Sequence, residues 1–365
     1  MMWREPLRFY PAAVKLAALA TIRRERRLPL PGKVLVRRGE AVQATTVLAT
    51  AEQPTGVAIV DLACPLRVSS DRAIAYLRRK PGAPVRAQEV LAARRTLLGL
   101  RILRVRSPVD GEIVAAGGGR VLIRTGARTL EVRAGFPGVV AEVIPQYGVV
   151  LETTGALIQA IWSSGTDFSG VLRVVTTGAE PLRARVLDPM VQGTVVVGGG
   201  WIEPSALEQA ERLQVRGMIA GSIEASLLPR LQELSFPVIL TEGFGRLPMH
   251  PGIFRIFSLY QGREAFILHP PASPDGTPGR PEIVIPVPTE NPPPPEPVGE
   301  VVLQPGLQVR LLREPDRGRT GTILRILSDP QILESGLRVW CAEIRLDGEE
   351  RRVRVPVYNV EVLRV

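Results

Sequence analysis

Gly32-Lys-Val-Leu-Val-Arg-Arg-Gly39-Glu-Ala-Val42, followed by Val47-Leu48-Ala49, is echoed further along the chain. The echo is Pro81-Gly82-Ala-Pro-Val85-Arg-Ala-Gln-Glu-Val90-Leu91-Ala92. Each copy reads as a strand, a glycine turn, a valine, a short polar run and an apolar pair. Short apolar runs punctuated by glycine and proline predict strands joined by tight turns. The same texture continues through Ser107-Pro-Val-Asp-Gly111-Glu-Ile-Val114, the tip Gly117-Gly-Gly119, the strand from Arg120 to Arg124, and Gly135-Phe-Pro-Gly138-Val-Val-Ala-Glu-Val143. Residues 30–175 therefore read as one β-rich unit containing an internal repeat.

These half-turns, with the Ser107–Gly111 element, resemble the barrel-sandwich hybrid of biotinyl and lipoyl carriers and of many bacterial adaptor domains. In the carriers that hybrid displays a lysine on a hairpin tip. The matching tip, Ala115-Ala-Gly-Gly-Gly-Arg120, has none. The resemblance thus implies a scaffold, and no cofactor is expected.

Downstream the period changes. Gly193-Thr-Val-Val-Val-Gly198-Gly199-Gly200 predicts a buried strand ending in glycines, and Pro204 to Leu213 a helix opened by proline. A second strand, Gly217-Met-Ile-Ala-Gly221-Ser222-Ile, a second helix from Ala225 to Leu234, a third strand, Phe236-Pro-Val-Ile-Leu-Thr-Glu242-Gly243-Phe-Gly245, and a helix from Ile253 to Tyr260 follow. Strands alternating with helices make a small parallel α/β domain over 176–269. It resembles the DRTGG-type regulatory domains, without their signature. Ligands of open α/β sheets bind at the carboxyl ends of the strands. Gly198, Gly199, Gly200, Ser222, Glu242 and Gly243 are therefore the candidates for a crevice that takes a small anionic ligand. A dinucleotide fingerprint would need a glycine where Glu203 stands, and no Gly-Lys-Ser/Thr triplet exists for a P-loop. His250 beside Glu242 would be the only acid–base pair, and it lacks a nucleophile. Trp162 and Trp201 read as packing residues at domain seams.

Residues 270–299 are proline-dense, from Pro270-Pro-Ala-Ser-Pro to Asn291-Pro-Pro-Pro-Pro-Glu-Pro. Proline fixes φ and removes a donor, so this stretch predicts an extended tether, with Glu282-Ile-Val-Ile-Pro docking as an edge strand. Beyond it lie Leu303-Gln-Pro-Gly306-Leu-Gln-Val309, Arg317-Gly318-Arg319-Thr-Gly321-Thr-Ile323 and strands around Leu337–Ile344 and Glu350–Pro356. The Gly306-x-x-Val309 opening and Gly318-x-x-Gly321-x-Ile323 core resemble the KOW domain of NusG-type elongation factors and some ribosomal proteins. That resemblance covers 300–365 and implies a small SH3-like barrel whose loops contact RNA or protein. The loop candidates are Arg317, Arg319 and Arg325.

Charge is uneven. Residues 1–130 carry 24 Lys/Arg against 9 Asp/Glu, a net of +15, whereas residues from 301 carry 11 against 9, a net of +2. A basic surface attracts polyanions. Its candidate residues are Arg23, Arg24, Arg26 and Arg27, which follow an apolar stretch read as a short amphipathic helix within an N-terminal arm (1–29), and Arg78 and Arg79. Only Lys15, Lys33 and Lys80 are lysines, a bias that GC-rich codon usage also produces. Two distant cysteines, Cys64 and Cys341, form no disulfide framework or zinc spacing, and two histidines offer little for a metal site. No apolar run approaches the roughly 20 residues of a membrane span.

The reading is a multidomain α+β protein: arm (1–29), barrel-sandwich hybrid (30–175), small parallel α/β domain (176–269), proline-rich linker (270–299) and KOW/SH3-like β-barrel (300–365). The expected function is a non-enzymatic cytoplasmic adaptor without cofactor, metal or stable membrane insertion. Its expected partners are RNA, a ribosome, a polymerase or another protein. The alternative is a regulatory protein that senses a small anionic ligand in the α/β crevice.

Overall fold

The computed structural model describes residues 9–96, 101–271, 279–289, 291, 293–295 and 301–364. The described chain is mostly β, with a few short helices. Seventeen of its strands join into one mixed sheet.

The expected helical arm is a strand over its described part. Ala12–Arg27 runs extended, with Val14, Leu16, Ala20 and Ile22 buried and Arg23, Glu25 and Arg27 exposed. The spacing is two residues on each side of a bulge between Ala17 and Ala20. Alanine favours helix by only tenths of a kcal/mol per residue, and here two neighbours outweigh that preference. Leu16–Arg27 pairs antiparallel with Gly148–Ile158, and Ala12–Lys15 pairs parallel with Glu361–Arg364 near the chain's end.

The proline-rich linker also holds a surprise. Glu282–Pro286 is a central strand, paired with Gly155–Gln159 on one side and Phe266–Leu268 on the other. Ile283, Val284 and Ile285 are fully buried. Prolines end a strand without breaking its ladder, so Pro281 and Pro286 could bracket this one. The tether of the sequence reading is therefore partly a structural element of the base.

The repeat is built as two similar turns. In the first, the Gln43 amide donates to Thr46 Oγ1 and the Thr46 amide to the Gln43 carbonyl, both at 3.0 Å. In the second, Arg86 and Glu89 exchange the same two bonds, both at 3.0 Å. Gly39 (φ +83°) and Gly82 (φ +90°) occupy the matching left-handed positions. The first copy packs with Val42, Leu48, Phe136, Val140 and Leu151 in the base, and the second with Val85, Leu91, Ala92, Ile113 and Ile123 in a separate core.

A long two-stranded ribbon joins the two cores. Val47–Asp61 pairs antiparallel with Arg120–Arg133. Leu48, Ala49 and Ala51 are buried at the base end, and Val60, Val121 and Ile123 at the other. Between them Glu52 to Thr55 are exposed. Fifteen residues of strand span about 50 Å at roughly 3.3 Å per residue. Residues 62–119 thus form a tip carried on a stalk.

The α/β part orders its parallel strands Phe168–Val174, Val195–Val197, Gly217–Ile223 and Val238–Phe244. Phe168–Val171 also pairs antiparallel with Glu264–Ile267, so this sheet continues into the base without a break. The C-terminal segment lays antiparallel strands in the order Val360–Arg364, Gln308–Leu311, Thr320–Ile326, Cys341–Leu346, Arg352–Pro356. Gly306 and Gly318 sit at φ +89° and +80°, which suits glycine in its turns.

Candidate functional site

Gly198–Gly200 was expected to end a strand and open a helix. Instead the strand resumes at Trp201–Ile202, on the same neighbour. The glycines are a kink that lets the segment 178–180 cross close by. A Cβ on Gly199 would collide with the Gly178 carbonyl, and one on Gly200 with that of Glu180. The Gly198 amide donates to the Ile219 carbonyl and the Gly199 amide to Thr176 Oγ1 at 2.7 Å. These donors are occupied and buried, and cannot cradle a phosphate.

Ser222, Glu242 and Gly243 do lie together at the carboxyl edge, but the C-terminal segment covers that edge. The Ser222 hydroxyl accepts from the Leu247 amide at 2.7 Å. Glu242 is reached by Arg310, which also binds Glu361, and all three side chains are at most 3% exposed. Arg280 closes the group at 2.5 Å from Glu361. Burial alone would push the Glu361 carboxyl up, but Arg310 and Arg280 hold it below the usual carboxylate range. Burial likewise opposes the charge of Arg310, and Glu242 and Glu361 raise its pKa nonetheless. The protein's own guanidinium thus sits among residues expected to hold an anionic ligand, beside a cleft of about 230 Å³ that Glu242, Gly243, Arg310 and Arg317 line. Nothing in the sequence announced Arg310.

His250 does not form a catalytic pair with Glu242. Its backbone amide donates to Glu242 Oε1 at 3.0 Å, while its Nδ1 accepts from the Gly252 amide at 3.1 Å and caps the helix Pro251–Leu259. Burial, with Arg310 adding and Glu242 opposing, keeps the imidazole below its ordinary pKa. Trp162 packs edge-on against Phe244, ring centres 5.5 Å apart. Trp201 lines another open part of the carboxyl edge, a cleft of about 350 Å³ shared with Arg183, Glu203, Glu224 and Arg246. Its charges pair across the rim, Arg183–Glu203 at 2.9 Å and Arg246–Glu224 at 2.7 Å.

Most of the expected basic residues are matched by carboxylates. Arg23 pairs with Glu152 at 2.6 Å, Arg24 with Glu282, Arg26 with Asp167 at 3.0 Å, and Arg27 with Glu25 at 3.5 Å. Arg79 pairs with Glu89 at 2.8 Å. Arg319 bonds Glu349 and lies 3.3 Å from Asp316, and Arg325 lies 2.6 Å from Glu343. Of the nine, Arg78 and Arg317 make no ion pair among the described residues, and both are exposed.

The tip differs. Residues 62–119 carry 11 Lys/Arg against 4 Asp/Glu, a net of +7. Three of the four acids are already engaged: Glu89 by Arg79, Asp110 by the Ala87 amide, Glu112 by Arg124. The hairpin Val90–Arg95/Ile102–Arg106 turns Leu91, Ala92 and Val105 into the tip core. Arg95, Ile102, Arg104 and Arg106 are exposed, and the register places Arg95 opposite Ile102 and Arg104 opposite Ala93. Arg95 and Arg104 have no acidic partner among the described residues, while Arg106 reaches the Gln88 carbonyl at 2.7 Å. Arg78 lies beside them, its amide bonded to the Leu91 carbonyl at 2.8 Å. The signal was present in Arg101-Ile-Leu-Arg104-Val-Arg106, an alternation that puts cations on one strand face.

No protein family matches the chain, and no curated protein matches it. Among the described residues no helix is long and apolar enough to cross a membrane.

Proposed function

We propose that the chain is a non-enzymatic adaptor that engages nucleic acid, or a nucleoprotein machine such as a polymerase or ribosome, through its stalk-borne basic tip. The observation that carries this reading is the exposed cation excess of residues 62–119, where Arg78, Arg95 and Arg104 stand without carboxylate partners among the described residues. Cations already matched by a carboxylate must break that pair to meet a phosphate, whereas unmatched ones release counterions at no such cost. The stalk favours the same reading, because it holds the charge away from the acidic groups of the base.

Within this proposal residues 30–175 are a barrel-sandwich hybrid with a second copy of its repeat at the tip, and 300–365 a KOW-like barrel. The paired turns at Gln43–Thr46 and Arg86–Glu89 support the first. The strand order and the turns at Gly306 and Gly318 support the second. The KOW-like segment then serves chiefly as a clamp on the α/β sheet through Arg310. The cytoplasm is the compartment we propose.

The test is binding of a fluorescent, random-sequence nucleic acid to the full chain at about 0.15 M salt, where surface charges act over only about 8 Å. Saturable binding at micromolar protein is expected. No binding there would overturn the proposal and shift weight to the second reading, a small ligand held against Trp201. The open cleft of about 350 Å³ favours that alternative.

A further inference from the structure

We infer that the hairpin Val90–Arg95/Ile102–Arg106 is shaped to enter the major groove of duplex DNA, with Arg95 and Arg104 meeting base edges or the groove-lining phosphates. This rests on the proposed nucleic-acid reading and narrows it to one form of polymer.

Three observations lead there. The first is the element's shape. A two-stranded ribbon, its strands about 4.8 Å apart, fits the B-DNA major groove, about 12 Å wide. The deep, narrow major groove of A-form RNA excludes side chains borne on such a ribbon. The second is rigidity. Leu91, Ala92 and Val105 are buried in the tip core, so the opposite face is held in place by packing. That face alternates Arg95, Ile102 and Arg104. Arginine can bond guanine O6 and N7 with both arms of its fork, and the apolar Ile102 can meet a thymine methyl. The third is the scarcity of aromatic rings. Single strands are gripped by stacking bases on aromatic side chains, and the tip's sole aromatic residue, Tyr76, is half-buried. Arg78, next to the hairpin, and Lys80, both exposed, can reach the flanking backbone.

The experiment titrates the full chain against one sequence in three forms: duplex DNA, single-stranded DNA and duplex RNA. Duplex DNA is expected to bind at least about tenfold more tightly than either alternative. Arg95→Ala with Arg104→Ala should weaken duplex binding by roughly 10- to 100-fold, on the scale of one or two lost arginine contacts. Both side chains are exposed, so the variant should keep the wild-type thermal transition. If it does not, methylation protection of guanine N7 by the wild-type chain gives an independent readout, with protection expected. Equal binding of all three polymers would leave the nucleic-acid reading standing and overturn the groove assignment. Unprotected N7 atoms, or duplex binding unaffected in a folded double variant, would also overturn it. Failure to bind any of the three would overturn both.

Discussion

The seam at Arg310 and the tip at Arg104 use the same residue in opposite ways. At the seam an arginine is 3% exposed and bound to Glu242 and Glu361, two carboxylates that are themselves buried. At the tip Arg95 and Arg104 face solvent without acidic partners among the described residues, on a hairpin whose other face is core. A buried, matched guanidinium fixes how two parts of a chain sit together, and its loss is felt as stability. An exposed, unmatched one contributes little to the fold and remains available to a partner. Counting arginines along the sequence cannot separate the two, because the distinction lies in what stands next to each.

The largest expected effect comes from breaking the seam. Arg310→Met leaves Glu242 buried without a counter-charge and Glu361 with Arg280 alone, which should cost about 3–5 kcal/mol, read by chemical denaturation. Adding Glu242→Gln and Glu361→Gln should recover part of the loss. The acid response should weaken as well. In the wild type, Glu361 has a folded pKa below its unfolded one. Its contribution is therefore complete above the ordinary glutamate range and is lost as pH falls through the depressed folded value. In Arg310→Met only Arg280 still opposes the burial of Glu361, so the folded pKa should move up toward the unfolded value and the variant should lose less stability than wild type on acidification. A variant as stable as wild type, with the same acid profile, would show that the seam is not built on this cluster.

Gly199→Ala probes the same region without touching charge. The added methyl meets the Gly178 carbonyl, and overpacking of this kind costs roughly 1–3 kcal/mol. A drop in thermal midpoint without loss of nucleic-acid binding would keep the α/β edge structural. Loss of binding at unchanged stability would reassign those glycines to function.

How much of this was legible in the sequence depends on how local each cause is. The repeat was readable because its turns are set by residues three apart, Gln43 with Thr46 and Arg86 with Glu89. The parallel α/β order was readable from alternating periods. The first strand was not, because its partners at 148–159 and 360–364 lie far along the chain. The strand Glu282–Pro286 was masked by its flanking prolines, which obey local rules while its ladders are long-range. Arg310 was invisible for the same reason, with partners 51 and 68 residues away. Among the basic candidates, Arg78 was placed on the exposed tip, whereas Arg23 to Arg27 were not distinguishable from it by composition alone.

A small effect is expected on the exposed face of the C-terminal segment. The Arg325 side chain is 68% exposed in its pair with Glu343. Arg325→Ala should change stability by less than about 1 kcal/mol, as exposed ion pairs do. A larger loss would mean that this surface is organised like the seam rather than like the tip.

The claim that the tip's unmatched arginines carry the function is tested most directly by the salt dependence of duplex DNA binding. The comparison sets wild type against a triple variant at the tip, Arg78→Ala/Arg95→Ala/Arg104→Ala, and a double variant of matched arginines on the C-terminal segment, Arg319→Ala/Arg325→Ala. Each phosphate contact contributes about 0.9 to the slope of log affinity against log salt. The tip variant should flatten that slope by about 2–3, and the C-terminal variant should leave it within experimental error of wild type. A slope flattened by the C-terminal variant and unchanged by the tip variant would contradict the account.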